Sequence, residues 1–193
     1  MEIPKVEPIL PVLSKVVPLG REWLYEPKLD GFRGVLYIQN GRGGFFSKTK
    51  RPMARFESLA AQLAKAMDVS EAILDGEIVV AGEHGPDFRA LFYGRGTPRY
   101  AAFDLLWLNG RDLRQLSLTR RKTTLRRVTK HSPIGFLEAD DDPRLFDAAV
   151  QADLEGIVAK RRNDSYAPET RWIKVKHREY SQMQGRADMF RRR

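Results

Sequence analysis

Lys28 is the side chain with the clearest capacity for chemistry. It lies in Glu26-Pro27-Lys28-Leu29-Asp30-Gly31-Phe32-Arg33, two residues before an Asp-Gly turn signal, with the run Trp23-Leu24-Tyr25 ahead of it and a guanidinium beyond. Such a turn sets an amine at the mouth of a tight bend among other charges, where a lysine can act as a nucleophile. The strand period of two supplies companions. Glu26 is expected to share a strand face with Lys28. Asp75 and Glu77 share a face of Leu74-Asp75-Gly76-Glu77-Ile78-Val79-Val80. Lys174 and Lys176 share a face of Trp172-Ile173-Lys174-Val175-Lys176, with Ile173 and Val175 turned the other way. Glu155 opens a strand in which Ile157 and Ala159 alternate with Val158 and Lys160.

Each piece taken singly has an ordinary reading: a turn flank, solvated carboxylates, lysines on a half-exposed strand. Together they supply a nucleophile, carboxylates for a hard divalent cation and two phosphate-binding cations, a set suited to a nucleoside triphosphate. A lysine with the ordinary pKa near 10.4 is neutral in only about one molecule in 2,500 at pH 7. Neighbouring cations and a metal ion enlarge that fraction, and a nearby carboxylate reduces it. The same cations neutralise charge on the phosphate oxygens during transfer.

The elements that must position these groups can be read from pattern. Pro4, Pro8, Pro11 and Pro18, followed by Gly20, make residues 1–20 an extended, clasping arm. Strands are expected over 22–28 and 33–39, with Asn40-Gly41 and Gly43-Gly44 turning the second into Phe45-Phe46-Ser47. Phe56, Leu59, Ala60, Leu63, Ala64 and Met67 recur at helical spacing and predict a helix over 52–67. Strands follow over 72–81 and 100–108, the latter ending at Asn109-Gly110. A helix over 119–130 carries Arg120, Arg121, Lys122, Arg126 and Arg127, and reads as a solvated basic face. Asp142-Pro143 predicts an N-cap and first-turn proline for a helix through 152. Strands over 156–160 and 171–176 complete one α+β domain with mostly antiparallel sheets flanked by helices.

Composition narrows the class. The 193 residues hold 42% apolar side chains, enough for a core, and no cysteine, which excludes disulfides, thiolate zinc sites and a cysteine nucleophile. There is no signal-like N-terminus and no apolar run long enough for a membrane span. The missing cysteines are compatible with a reducing cytoplasm, and with nothing pointing to an obligate oligomer a monomer is expected. The net charge of +9, part of it in Arg191-Arg192-Arg193, points to a polyanionic partner. His84, His131 and His177 show no metal-ligand spacing and are read as non-catalytic.

Lys28-Leu29-Asp30-Gly31-Phe32-Arg33 resembles the K-x-D-G-x-R signature of ATP-dependent DNA ligases, members of the covalent nucleotidyltransferases. Further segments resemble that family's later motifs in order: Phe46-Ser47-Lys48-Thr49, Leu74-Asp75-Gly76-Glu77-Ile78-Val79, Ala102-Phe103-Asp104-Leu105-Leu106, Glu155-Gly156-Ile157-Val158-Ala159-Lys160 and Trp172-Ile173-Lys174-Val175-Lys176. Gly85-Pro86-Asp87-Phe88-Arg89-Ala90-Leu91 resembles a connecting segment. One K-x-D-G is weak, whereas six motifs in order are specific.

The resemblance implies a nucleotidyltransferase (ATP-grasp-like) fold over 21–193 and a set of roles. Lys28 would attack the α-phosphate of ATP and carry AMP. Glu26 would sit near the adenine, and Phe103 would stack on it. Arg33 and Lys48 would contact ribose or phosphate. Glu77 would bind ribose or Mg²⁺ (or Mn²⁺), and Glu155 would help hold the metal. Lys160, Lys174 and Lys176 would hold the phosphates. AMP would then pass to the 5′-phosphate of nicked duplex DNA in bacterial DNA repair. RNA ligases and capping guanylyltransferases share K-x-D-G, and a nucleic-acid-binding module that has lost the chemistry is a further alternative. Two departures stand out. Lysine replaces the usual arginine at Lys48, losing bidentate geometry. Seventeen residues follow Lys176, too few for the OB-fold domain usual in the family; the resemblance leaves open a piece of a longer chain, a stand-alone adenylation domain, or a partner protein that supplies the missing part.

Overall fold

The computed structural model describes residues 3–83, 85–183 and Met189. The expectations for His84 and for Arg191-Arg192-Arg193 lie outside the described residues. Among the described residues ten strands run in chain order: β1 (Val12–Ser14), β2 (Trp23–Pro27), β3 (Phe32–Gln39), β4 (Arg42–Ser47), β5 (Glu71–Val80), β6 (Pro98–Leu108), β7 (Arg111–Asp112), β8 (Gly135–Phe136), β9 (Gly156–Arg161) and β10 (Ile173–Lys176). Interleaved with them are the α-helices α1 (Glu57–Ala66), α2 (Phe88–Tyr93), α3 (Leu118–Thr129) and α4 (Leu145–Gln151).

The strands form two sheets. One has the order β1-β10-β9-β2, antiparallel except where β1 runs parallel to β10. The other has the order β4-β3-β5-β6-β7, antiparallel throughout, with β8 joining β6 in parallel. The α+β class and the antiparallel bias follow the sequence pattern. Period-two alternation sorts side chains to the two sides of each sheet. On the larger sheet Leu36, Ile38, Leu74 and Ile78 pack with Ala60, Leu63 and Ala64 of α1 and Leu125 of α3. Its opposite face contributes Val35, Ile73 and Phe103, which meet Trp172, Tyr166 and the arm residues Val6 and Ile9. The smaller sheet turns Tyr25, Ile157, Ala159 and Val175 away from that junction, against Ala149 of α4. The candidate site therefore lies between the two sheets.

Several elements differ from expectation. Residues 54–56 form a 3₁₀ turn, so α1 is shorter than the helix predicted over 52–67. Asp142 does not cap a helix at Pro143. Its carboxylate accepts from the Arg144 amide and pairs with the Arg144 guanidinium, and α4 begins only at Leu145. Residues 85–91, read only as a connection, contain most of α2. Asp87 caps it by accepting from Ala90 N at 2.8 Å, and Gly94 ends it in the left-handed region at φ 75°. The arm is stitched into the fold: β1 joins the smaller sheet, Val6 N donates to Tyr37 OH, and Ile9 N donates to Tyr166 OH.

The basic helix is a solvated face only in part: Arg120, Arg126 and Arg127 are exposed, whereas Arg121 and Lys122 lie on its buried side. Leu118, Arg121, Lys122, Leu125 and Thr129 are all buried. The Arg121 guanidinium holds Asp104 through Nε at 2.7 Å and Nη2 at 2.9 Å. Asp104 is fully buried, and the paired geometry is what offsets the desolvation of both charges.

Candidate active site

Strand register builds the site. In the smaller sheet Glu26 stands opposite Val158, which stands opposite Lys174, while Gly156 stands opposite Lys176. Directly paired residues point to one side of a sheet. Glu26, Val158, Lys160, Lys174 and Lys176 accordingly line one cleft of about 500 Å³, while Ile157, Ala159 and Val175 form the reverse face. The larger sheet supplies the opposite wall. Arg33 pairs with Glu77 across β3 and β5, and both line the cleft with Phe103 of β6. Ser47 and Lys48 at the end of β4 also line it.

Lys28 lies where the chain crosses from one sheet to the other. β2 ends at Pro27, and the Lys28 amide then donates to Gly156 O at 2.8 Å, which keeps the chain beside β9. Two glycines permit this crossing. A Cβ on Gly31 would meet Ile78 O at 2.1 Å, and one on Gly156, whose φ is +130°, would meet Val175 O at 2.1 Å. Asp30 is buried and accepts from Tyr180 OH at 3.2 Å, which anchors the turn from the segment after β10.

The register sets Lys28 beside Glu155, the residue before Gly156. Lys28 Nζ donates to Glu155 Oε2 at 2.5 Å, and Lys176 Nζ lies 2.9 Å from Glu155 Oε1. Burial works against the Glu155 charge, but the Lys28 charge and the hydrogen bonds from Lys176 and Lys28 hold its pKa below the usual range. Lys174 is lowered by desolvation and by the charges of Lys176, Lys28 and Lys48, which draws these four cations into one field. Burial raises Glu77 to about 7, with Lys28 and Arg33 opposing and Glu155 and Asp30 adding to the rise.

Three predicted residues have surroundings that the sequence did not suggest. Glu26 is 2% exposed and pairs with Lys122 and Lys160, each at 2.6 Å, so its carboxylate is not the one beside Lys28. Glu26 and Lys28 both line the cleft, as alternation predicts, but they hold different partners. Lys160 stands apart from the cluster around Glu155. Its Nζ is buried 4.2 Å from the Phe103 ring centroid and 4.0 Å from that of Trp172. Burial lowers its pKa against the pull of Glu26. Arg33 spends its fork on the fully buried Asp75, through Nε at 2.6 Å and Nη2 at 2.5 Å, and stacks 4.6 Å from the Phe103 centroid. Tyr166 OH donates to the same Asp75 at 2.6 Å.

The residues missed from sequence are Lys122, Arg121, Asp104 and Tyr166. For the first two the signal was present, since Arg121 and Lys122 fall three and four residues after Leu118 and Leu125 three residues later. Their charge concealed their place on the core stripe. His177 is half-buried 3.8 Å from Asp153, outside the cleft.

Among the described residues no group of three or more His, Cys, Asp or Glu side chains could hold a metal unaided. Glu77 and Glu155 both line the cleft. Two carboxylates completed by phosphate oxygens fit Mg²⁺, which is commonly bound in that way. The cleft thus combines an amine, an adjacent carboxylate, three further cations and an aromatic, buried end at Phe103 and Trp172.

Residues 9–176 match the family described as ATP dependent DNA ligase domain. The chain is 32% identical to DNA ligase C2 of Mycolicibacterium smegmatis over 92% of this chain and 56% of that protein. It is 35% identical to the multifunctional non-homologous end joining protein LigD of Pseudomonas aeruginosa over 90% of this chain and 22% of that protein. A solved structure of mycobacterial DNA ligase D complexed with ATP and MES is similar at TM-score 0.76 and 30% identity, covering 88% of this chain and 60% of that one. The chain thus spans about half the length of the first of these relatives.

Proposed function

Because the chain belongs to the family of ATP-dependent DNA ligases, we propose that it is their adenylyl-transferring unit, with Lys28 as the nucleophile. Lys28 Nζ attacks the α-phosphorus of ATP. The N–P bond forms, the bond from that phosphorus to the bridging oxygen breaks, and pyrophosphate leaves. The proton released by the amine has Glu155 Oε2 as its nearest acceptor, at 2.5 Å. In the second step a 5′-phosphate oxygen at a DNA nick attacks the same phosphorus and frees Lys28. In the third the 3′-hydroxyl displaces AMP and seals the strand.

The observation that carries this reading is the pairing of Lys28 with Glu155 in a cleft also lined by Lys48, Lys174 and Lys176. These cations hold the phosphates and neutralise the charge that grows in transfer. Glu77 and Glu155 are the residues to hold Mg²⁺, which supplies Lewis-acid stabilisation of phosphate oxygens when bound. Phe103 and Glu26 form the base end. Arg33 braces that wall through Asp75 and Tyr166 and, because it also lines the cleft, is the candidate for a contact with ribose or phosphate. Nicked duplex DNA is the partner, in keeping with the net charge of +9.

Incubation with α-labelled ATP or GTP and Mg²⁺, followed by denaturation, tests the reading. Label from ATP that survives denaturation is expected. Label from GTP alone would indicate a capping-type enzyme, and label from neither would overturn the proposal. A nick carrying a preformed 5′-adenylate then reports the sealing step separately.

A further inference from the structure

Lys122 is a buried ammonium that the reaction above does not use. It lies on the core-facing stripe of α3 and does not line the cleft. Its Nζ donates to Glu26 Oε1 at 2.6 Å, to Leu137 O at 2.8 Å and to Phe103 O at 3.4 Å. The second Glu26 oxygen lies 2.6 Å from Lys160 Nζ, which rests on the Phe103 and Trp172 rings. Each oxygen of one buried carboxylate therefore faces its own ammonium. That arrangement fixes the orientation of the group, and the lone pairs left over can only accept hydrogen bonds. An acceptor at this place suits the exocyclic amine of adenine and repels the carbonyl oxygen that guanine carries at the same position. Without Lys122, Glu26 Oε1 loses its partner and the carboxylate can turn.

We propose that Lys122 is a positioning residue for nucleotide specificity: acting through Glu26, it fixes a hydrogen-bond acceptor at the base end of the cleft, so that the site prefers adenine to guanine nucleotides. This inference rests on the adenylyl-transfer reading. Lys122 reaches the site from a helix outside the cleft, and its contacts with Phe103 O on β6 and with Leu137 O just after β8 tie the carboxylate to the wall that carries the Phe103 ring.

The test measures self-labelling of the full chain by α-labelled ATP and by α-labelled GTP across concentration, for the wild type, Lys122→Met and Lys122→Arg. Folding is checked by thermal unfolding. In Lys122→Met the preference for ATP over GTP is expected to fall about tenfold, the scale set by one lost polar discrimination at a buried site. The half-saturating ATP concentration should rise by more than the maximal rate falls. Lys122→Arg keeps the charge but not the point geometry, and should give an intermediate preference. Equal losses for both nucleotides in Lys122→Met would show a purely structural role and overturn the inference. If Lys122→Met does not fold, Lys122→Arg decides: a preference at least about threefold below wild type supports the inference, and a wild-type preference overturns it. Failure of the wild type to take label from ATP would instead defeat the adenylyl-transfer reading.

Discussion

Lys28 Nζ and Glu155 Oε2 lie 2.5 Å apart although 127 positions separate them in the chain. The contact is a consequence of strand register. Pro27 pairs with Ile157, the Lys28 amide continues onto Gly156 O, and Glu155 is then the next side chain along. Lys176 closes on the other Glu155 oxygen because it pairs with Gly156 from the opposite side.

Glu155→Gln keeps the volume and removes the charge that faces both lysines. Self-adenylation is expected to slow by about a hundredfold, in the range of a lost acid–base partner. The thermal midpoint should move little, since the amide can still accept from Lys28. Single-turnover labelling with ATP measures the first effect and a melting curve the second. An unchanged rate would remove Glu155 from the chemistry.

Asp104 and Arg121 form a buried pair whose separation leaves a charge without a partner. Arg121→Met is expected to cost about 3–5 kcal/mol of stability, read from urea unfolding. The double change Asp104→Leu with Arg121→Met should recover most of that loss, because no isolated charge remains. A loss in the single variant below about 1 kcal/mol would show that water reaches the pair.

Much of this arrangement is legible in the sequence, for identifiable reasons. Lys174 and Lys176 on one side of β10 with Val175 on the other follow from alternation alone. The two sheets follow from the apolar runs and from turn signals such as Asn40-Gly41. What composition hides is pairing at long range. Arg121 and Lys122 look like their exposed neighbours Arg120 and Arg127, and differ only in falling on the stripe that begins at Leu118. Asp75 and Tyr166 meet across 91 positions, a contact no local pattern encodes. The arm was legible as extended chain, but its pairing with β10 depends on a partner strand more than 150 residues away.

Glu77 gives a pH signature. Burial raises its folded-state pKa to about 7 from the ordinary 4.5. Between those values the folded chain binds more protons than the unfolded one, so this group makes stability fall as pH rises through the window. The fall is expected to be on the order of 2 kcal/mol after allowing for partial exposure. Glu77→Gln should flatten that part of the stability profile, measured by urea unfolding from pH 4 to 8. An identical slope in wild type and variant would contradict the assignment.

The central claim is that the Lys28 amine carries AMP, and peptide mapping of the protein after incubation with ATP and Mg²⁺ tests it most directly. Digestion and mass analysis of the wild type are expected to place AMP on the peptide containing Lys28, with no adduct in Lys28→Ala. An adduct on a different peptide, or one that persists in Lys28→Ala, would contradict it.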